Sequence, residues 1–227
     1  MLENLPHYFA SLVNLFLHLD VHLSQVIAQY GHWTYPLLAL VVFCETGLVV
    51  TPILPGDSLL FAAGTFAASG MPKLWLLWVT LAGAAVAGDG VNYSIGRILG
   101  SRVWEAKFRL IRPEYLRRTQ DFYERYGGKT IVIARFVPII RTFAPFLAGV
   151  GKMSYPKFAS YNVVGGVLWI SVCLLGGYLF GNIPFVRHNF SIAILGVVFV
   201  SLLPAVFAFY RERAASAGKW EKSLKTL

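Results

Sequence analysis

The stretch ETGLVVTPILPGDSLLFAAG, Glu45 to Gly64, decides how the chain must fold. It is nearly all apolar, yet a carboxylate stands on either side of a double-proline break at Pro52 and Pro55. Ionised groups are expensive in an apolar interior and more so inside a bilayer. Proline removes an amide donor and restricts its predecessor, so one unbroken helix through Pro52, Pro55 and Gly56 is not expected. The stretch reads as two half-helices joined by a turn, with Glu45 and Asp57 flanking it.

Outward from this break the chain becomes a membrane protein. Of 227 residues, 56% are hydrophobic and 14% charged, with a mean hydropathy of +0.60. Ordinary globular domains are about one quarter charged. Residues 158–186 and 188–210 contain no Asp, Glu, Lys or Arg, and roughly 20 apolar residues cross a bilayer as a helix. No export signal is expected, because the first residues carry Glu3 and no Lys or Arg. Cys44 and Cys173 lie inside apolar segments and form no spacing pattern, so both read as small buried hydrophobes.

The net charge of +9 is concentrated beside apolar segments. Residues 97–129 hold nine basic and four acidic side chains, and the tail at 211–227 holds five and two. Basic residues in short flanking loops mark the cytoplasmic face, which explains this charge without nucleic acid. If both basic regions are cytoplasmic, an even number of crossings must separate them. Three apolar segments lie between, and 130–151 is the one broken by Arg135, Pro138, Arg141 and Pro145. It reads as a hairpin entering and leaving on the inner face.

The same count run backwards makes 35–69 a hairpin dipping in from the outer face. The expected fold is an all-α polytopic membrane protein forming one membrane domain. It has about four transmembrane helices, at 9–30, 74–96, 158–180 and 189–210, and two opposed re-entrant hairpins. The segment 9–30 contains His18, Asp20 and His22, so an interfacial helix there stays open. The loop at 97–129 has the pattern of a basic amphipathic helix at the headgroups, and the basic tail occupies 211–227. Both termini are expected in the cytoplasm.

The halves echo each other. PILPGDSLLFAAG and VPIIRTFAPFLAG share paired prolines, a charged residue and a small-residue exit, at Gly64 and Gly149. Inverted repeats with broken helices meeting at the midplane are a known route to alternating access. Non-helical backbone must be buried in protein or line a wet cavity. Two acids, Glu45 and Asp57, and two arginines, Arg135 and Arg141, then meet in one chamber. Carboxylates at such depth can exchange protons, whereas arginine stays charged and offers a donor fork suited to phosphate. Fixed ion pairs pinning the hairpins together are the alternative use of the same residues. Asp89 is a third internal acid, and Asn92, Tyr93, Tyr161 and Asn162 are accessory candidates along the same polar path.

FCETGLVVTPILPGDSLLF, GDGVNYSIGRILG and GGKTIVIARFVPIIRTFAPFLAGVGKMSY together resemble the bacterial DedA family, within the wider VTT and Tvp38-like group of lipid scramblases. The resemblance covers essentially the whole chain. It implies an inner-membrane protein with two opposed re-entrant hairpins. It also implies proton-motive-force-dependent return of undecaprenyl phosphate across the cytoplasmic membrane. The family's functional acids and arginines fall on Glu45, Asp57, Arg135 and Arg141. Some relatives look like phospholipid translocases, so the motif leaves the lipid open.

Two rival classes use the same residues differently. A phospholipid flippase or scramblase needs the same head-group site, and a proton-coupled cation or small-solute antiporter needs only the acids. An enzyme is not expected, since none of the five histidines falls in the broken segments. His18 and His22 are four apart but have no third ligand, so neither a metal nor a cofactor is expected. The implied partners are an anionic lipid and protons, with a homo-oligomer left open.

Overall fold

The computed structural model describes residues 29–48, 56–70, 72–105 and 127–184, with positions 25, 27, 186, 190, 192, 193, 195–197, 199 and 203. Most of the expected first and last spans, Pro52 and Pro55, the greater part of the basic loop, and the tail at 211–227 lie outside the described residues. Among those described, all regular structure is helical. A 3₁₀ turn, Gly31–Trp33, leads into α1, Thr34–Gly47. After it come α2, Gly56–Ala68, and α3, Leu74–Glu105. The short α4, Lys129–Ala134, precedes α5, Pro138–Val150, and α6, Tyr155–Phe180.

Local sequence explains most of these boundaries. Val137 is extended ahead of Pro138, as the residue before proline prefers, and Pro138 opens α5 at a position where no amide donor is needed. Pro156 does the same for α6, just after the extended Ser154. Helix α3 runs nine residues beyond the boundary at 96 drawn from the sequence, because Arg97–Glu105 includes no proline to stop it.

Among the described residues two helices are long and apolar enough to cross a bilayer: Leu74–Gly100 within α3, and α6. Their outer faces carry exposed apolar side chains such as Val79, Ile98, Val164, Val172 and Leu179. An apolar exterior of this extent belongs against lipid rather than water. The molecule is therefore a multi-helical membrane protein.

The packing interleaves the two halves of the chain. Helix α3 packs chiefly against α1 and α5, whereas α2 packs against α6. The second arm of each half thus lies on the long helix of the other half. Both seams are close backbone contacts made possible by glycine. A Cβ built on Gly64 would overlap the Leu174 carbonyl oxygen, and one on Gly177 would overlap that of Phe61. At the other seam Gly149 meets the Tyr93 carbonyl and Gly96 meets that of Phe146. On all four helices the glycine follows the contacted carbonyl by three residues. Gly181 and Gly100 extend the seams by one turn, facing the Cα atoms of Thr65 and Val150. Small residues let membrane helices approach this closely and gain dispersion contact where water supplies no hydrophobic drive.

Apolar clusters surround these seams. One gathers Leu60, Leu81, Trp169 and Leu174. The other gathers Tyr93, Ile131, Ala148 and Phe158, with Tyr93 stacked on Phe158 at 4.3 Å between ring centroids. These contacts fix where the proline-broken segments meet.

Candidate functional site

Helix α1 ends and α2 begins at the site. Glu45 is in the last turn of α1 and Asp57 in the first turn of α2. The Gly56 amide donates to Glu45 Oε1 at 3.1 Å. A Cβ built on Gly56 would come within 2.6 Å of Glu45 Cδ, so only glycine lets the carboxylate sit against this helix start. A helix N-terminus favours negative charge, which suits both acids. Gly56 thus opens α2 and seats the Glu45 carboxylate.

The arginines come from the corresponding region of the second half. Arg135 follows α4 directly, and Arg141 lies in the first turn of α5. Pro145, inside α5, has no amide hydrogen to give the Arg141 carbonyl. Because α5 packs across the chain on α3, it presents Arg141 to the first half. Arg141 NH1 donates to Asp57 Oδ1 at 2.5 Å, and NH2 donates to Glu45 Oε1. Glu45 is 1% exposed and Arg141 8%. One guanidinium therefore serves two carboxylates, an excess of one formal negative charge.

Arg135 has different company. Its NH2 donates to Asp89 Oδ2 and, at 2.5 Å, to Asn162 Oδ1. Asn162 in turn donates to the Val86 carbonyl at 2.9 Å, tying α6 to α3. Gly165 and Gly166 make room for this side chain: a Cβ on Gly165 would stand 3.1 Å from Arg135 Cδ. The expectation of one chamber holding two acids and two arginines resolves into two adjacent groups. Asp89, an uncertain member in the sequence, is the partner of Arg135. Glu45, Asp89, Arg135 and Arg141 are buried and Asp57 partly so, and burial makes a lone charge far costlier than a paired one.

An aromatic side chain joins the groups. Trp169 of α6 donates its indole N–H to Asp57 Oδ1 at 2.9 Å. The Arg141 guanidinium carbon lies 5.0 Å from the Trp169 ring centroid and that of Arg135 lies 6.0 Å away. Both are within range of a cation–π contact. Trp169 is not among the residues picked out from the sequence, since it has no charge and no proline beside it. Its signal was position: an indole in mid-span must find an acceptor for its N–H.

The accessory candidates divide. Asn92 donates to the Thr46 carbonyl at 3.0 Å and the Thr142 carbonyl at 2.8 Å, joining α1, α3 and α5. Tyr93 instead donates to the Met153 carbonyl and accepts from Arg97 at 2.8 Å, inside the aromatic cluster. Tyr161 packs on Gly128, where a Cβ would fall within its ring. Neither tyrosine reaches the arginines; Asn162 does.

Several buried polar atoms have no hydrogen-bond partner, among them Glu45 Oε2 and Arg135 Nε. A cavity of about 530 Å³ adjoins the site, lined by Asp57, Trp169, Cys173, Phe136 and Gly196 among others. A second, of about 700 Å³, runs between α3 and α6 and includes Asn162 in its wall. Among the described residues no group of three His, Cys, Asp or Glu is placed to hold a metal ion.

A membrane fold with paired, buried guanidinium and carboxylate groups between interleaved helices defines a class, and comparison with known proteins places the chain in it. The VTT domain model matches residues 54–179. Protein DedA of Escherichia coli (strain K12) is 50% identical over 209 residues, covering 91% of this chain and 95% of that protein. An uncharacterized membrane protein of Mycobacterium leprae is 42% identical over 186 residues, 80% of this chain and 83% of that one. Inner membrane protein YghB of Escherichia coli (strain K12) is 31% identical over 203 residues, 87% and 84% of the two chains. The chain belongs to the DedA/VTT-domain family. No solved structure matches it.

Proposed function

We propose that this protein carries an anionic lipid phosphate, undecaprenyl phosphate in the first instance, across the bacterial inner membrane in a proton-motive-force-dependent cycle. In this reading Arg141 and Arg135 take the phosphate, while Glu45, Asp57 and Asp89 accept and release protons. No chemical transformation of the lipid is involved. Helices α1 with α2, and α4 with α5, are the arms of an outer and an inner re-entrant hairpin, and both termini are cytoplasmic.

The observation that carries the reading is Arg141, buried and shared by Glu45 and Asp57. A phosphate monoester offers a guanidinium the same fork of oxygens that a carboxylate does. Substituting lipid phosphate for one carboxylate exchanges like for like. The displaced carboxylate then takes a proton, because a bare buried charge would be far more costly. Proton uptake and phosphate capture are coupled by this shared cation.

Other features support it. The cavity beside Asp57 and Trp169 has apolar walls at Phe61, Val172 and Val197, suited to a head group whose tail stays in the bilayer. Helices α1, α2 and α5 have 14, 13 and 13 residues. Each is about 20 Å long at roughly 1.5 Å per residue, short of a hydrocarbon core about 30 Å thick. Short arms of this kind fit hairpins that enter and return. The name of the YghB relative supports the inner membrane as the location.

The test is reconstitution into vesicles with labelled undecaprenyl phosphate, with and without a pH gradient, beside a labelled phospholipid. The expected result is gradient-stimulated movement of the polyprenyl probe that Arg141→Ala abolishes and Arg135→Ala impairs. Parent-like movement in both variants would remove the arginines from the head-group site. Preferential movement of the phospholipid would favour a flippase or scramblase instead. Proton flux driven by a cation with no lipid present would favour an antiporter.

A further inference from the structure

Asp57 Oδ1 accepts from two donors at once, the Arg141 guanidinium at 2.5 Å and the Trp169 indole N–H at 2.9 Å. The same indole ring lies 5.0 Å from the Arg141 guanidinium carbon. Trp169 is 1% exposed overall, yet it shares the wall of the cavity of about 530 Å³ with Asp57. A ligand entering there meets Asp57 and Trp169 in the wall, with Arg141 hydrogen-bonded to Asp57 behind them. A buried indole needs an acceptor for its N–H, and here that acceptor is a carboxylate which also serves the arginine of the anion site.

We propose that Trp169 is a positioning residue of the anion site, holding the Asp57 carboxylate while a phosphate takes its place on Arg141. This deepens the lipid-phosphate reading and rests on it. The exchange otherwise has an unattractive intermediate: Asp57 released from its cation before its proton arrives, with no donor left. The indole N–H supplies that donor throughout. The ring face meanwhile stays against the Arg141 guanidinium whichever anion is bound, limiting its freedom to follow the departing carboxylate. Asp57 thus needs to shift, not to leave, and it is in place to reclaim Arg141 once the phosphate departs.

The experiment is a double-mutant cycle on the full chain in proteoliposomes, with transport measured against undecaprenyl phosphate concentration. Trp169→Phe keeps an aromatic ring against the arginines and removes the N–H together with part of the indole's volume, a packing loss that the Asp57→Asn background separates from the hydrogen bond. It is expected to raise the apparent KM about tenfold, the scale of a hydrogen bond to a charged group, with the maximal rate changed less than about twofold. In an Asp57→Asn background the same substitution is expected to raise KM by less than about threefold, because the N–H then meets a neutral amide oxygen rather than a carboxylate. Equal KM increases in both backgrounds would overturn the proposal and leave Trp169 a packing residue. So would a fall in maximal rate with KM unchanged.

Arg141→Lys in the same assay separates this outcome from a failure of the underlying reading. Parent-like KM in Arg141→Lys would overturn both together. A raised KM there, with additive effects of Trp169→Phe and Asp57→Asn, would overturn only the role of Trp169. Binding of undecaprenyl phosphate to purified protein, followed by thermal stabilisation, gives the same cycle where a variant inserts poorly into vesicles. A dissociation constant raised by Trp169→Phe alone, and raised much less in the Asp57→Asn background, is the supporting result. Equal shifts in both backgrounds overturn the proposal here too.

Discussion

Arg141 and Arg135 are six positions apart in sequence and equally buried, but their surroundings differ. Arg141 faces two carboxylates, Glu45 and Asp57, brought from the two arms of the first half. Arg135 faces one carboxylate, Asp89, and the amide of Asn162, both on long helices. The first group has a spare negative charge and adjoins a cavity through Asp57; the second is neutral in formal charge and braced by α3 and α6. A guanidinium shared by two acids can give one up to an incoming anion. One with a single acid has none to spare, so Arg135 can take a phosphate only once Asp89 has accepted a proton.

That contrast predicts unequal consequences. Arg141→Ala should have the largest effect, leaving buried Glu45 and partly buried Asp57 without a cation and abolishing transport. Breaking a buried pair costs about 3–5 kcal/mol of stability, to be checked by thermal unfolding in detergent beside the vesicle assay. Neutralising Glu45 as well should recover only part of the loss, because Asp57 remains.

Arg135→Ala should destabilise by a comparable amount, roughly 3 kcal/mol, but the remedy differs. Adding Asp89→Asn should restore most of the unfolding temperature, since one neutral replacement removes the whole imbalance. If this double variant recovers no better than its Arg141/Glu45 counterpart, the two groups are not different in kind.

The glycine seams predict equality. Gly64→Ala and Gly149→Ala both force a methyl group onto a backbone carbonyl of the opposing helix. Each should cost about 1–3 kcal/mol by overpacking, and the two unfolding temperatures should fall together. A loss confined to one variant would show that the seams are not equivalent. Smallest of all should be Gly83→Ala, where nothing lies within 4 Å of the added Cβ. There the helix gains about 0.5–1 kcal/mol, and any marked loss would mean that the groove between α3 and α6 is occupied.

Much of the site was legible because hydropathy and charge are local. An acid or arginine within a proline-broken apolar run must be paired or functional wherever the run ends up, so Glu45, Asp57, Arg135 and Arg141 could be named at once. The shared exits at Gly64 and Gly149 were equally visible. Asp89 was harder, because it sits in an otherwise regular span with nothing nearby to suggest a partner. Tyr93 and Tyr161 looked like members of the same polar path by spacing, but their rings turn to the cluster around Phe158 and to Gly128. Trp169 was invisible as a ligand of Asp57, being 112 residues away.

The amino-acid sequence by itself determined that the chain is a membrane protein, that a helix starts at Pro138, and which charges lie within the apolar segments. Each of these follows from the transfer free energy of a side chain or the backbone limits of proline, both properties of a short segment. Which acid each arginine holds was decided only by the tertiary structure. The close glycine seams set α2 on α6 and α5 on α3, and that interleaving delivers Arg141 to the first half and leaves Arg135 to Asp89.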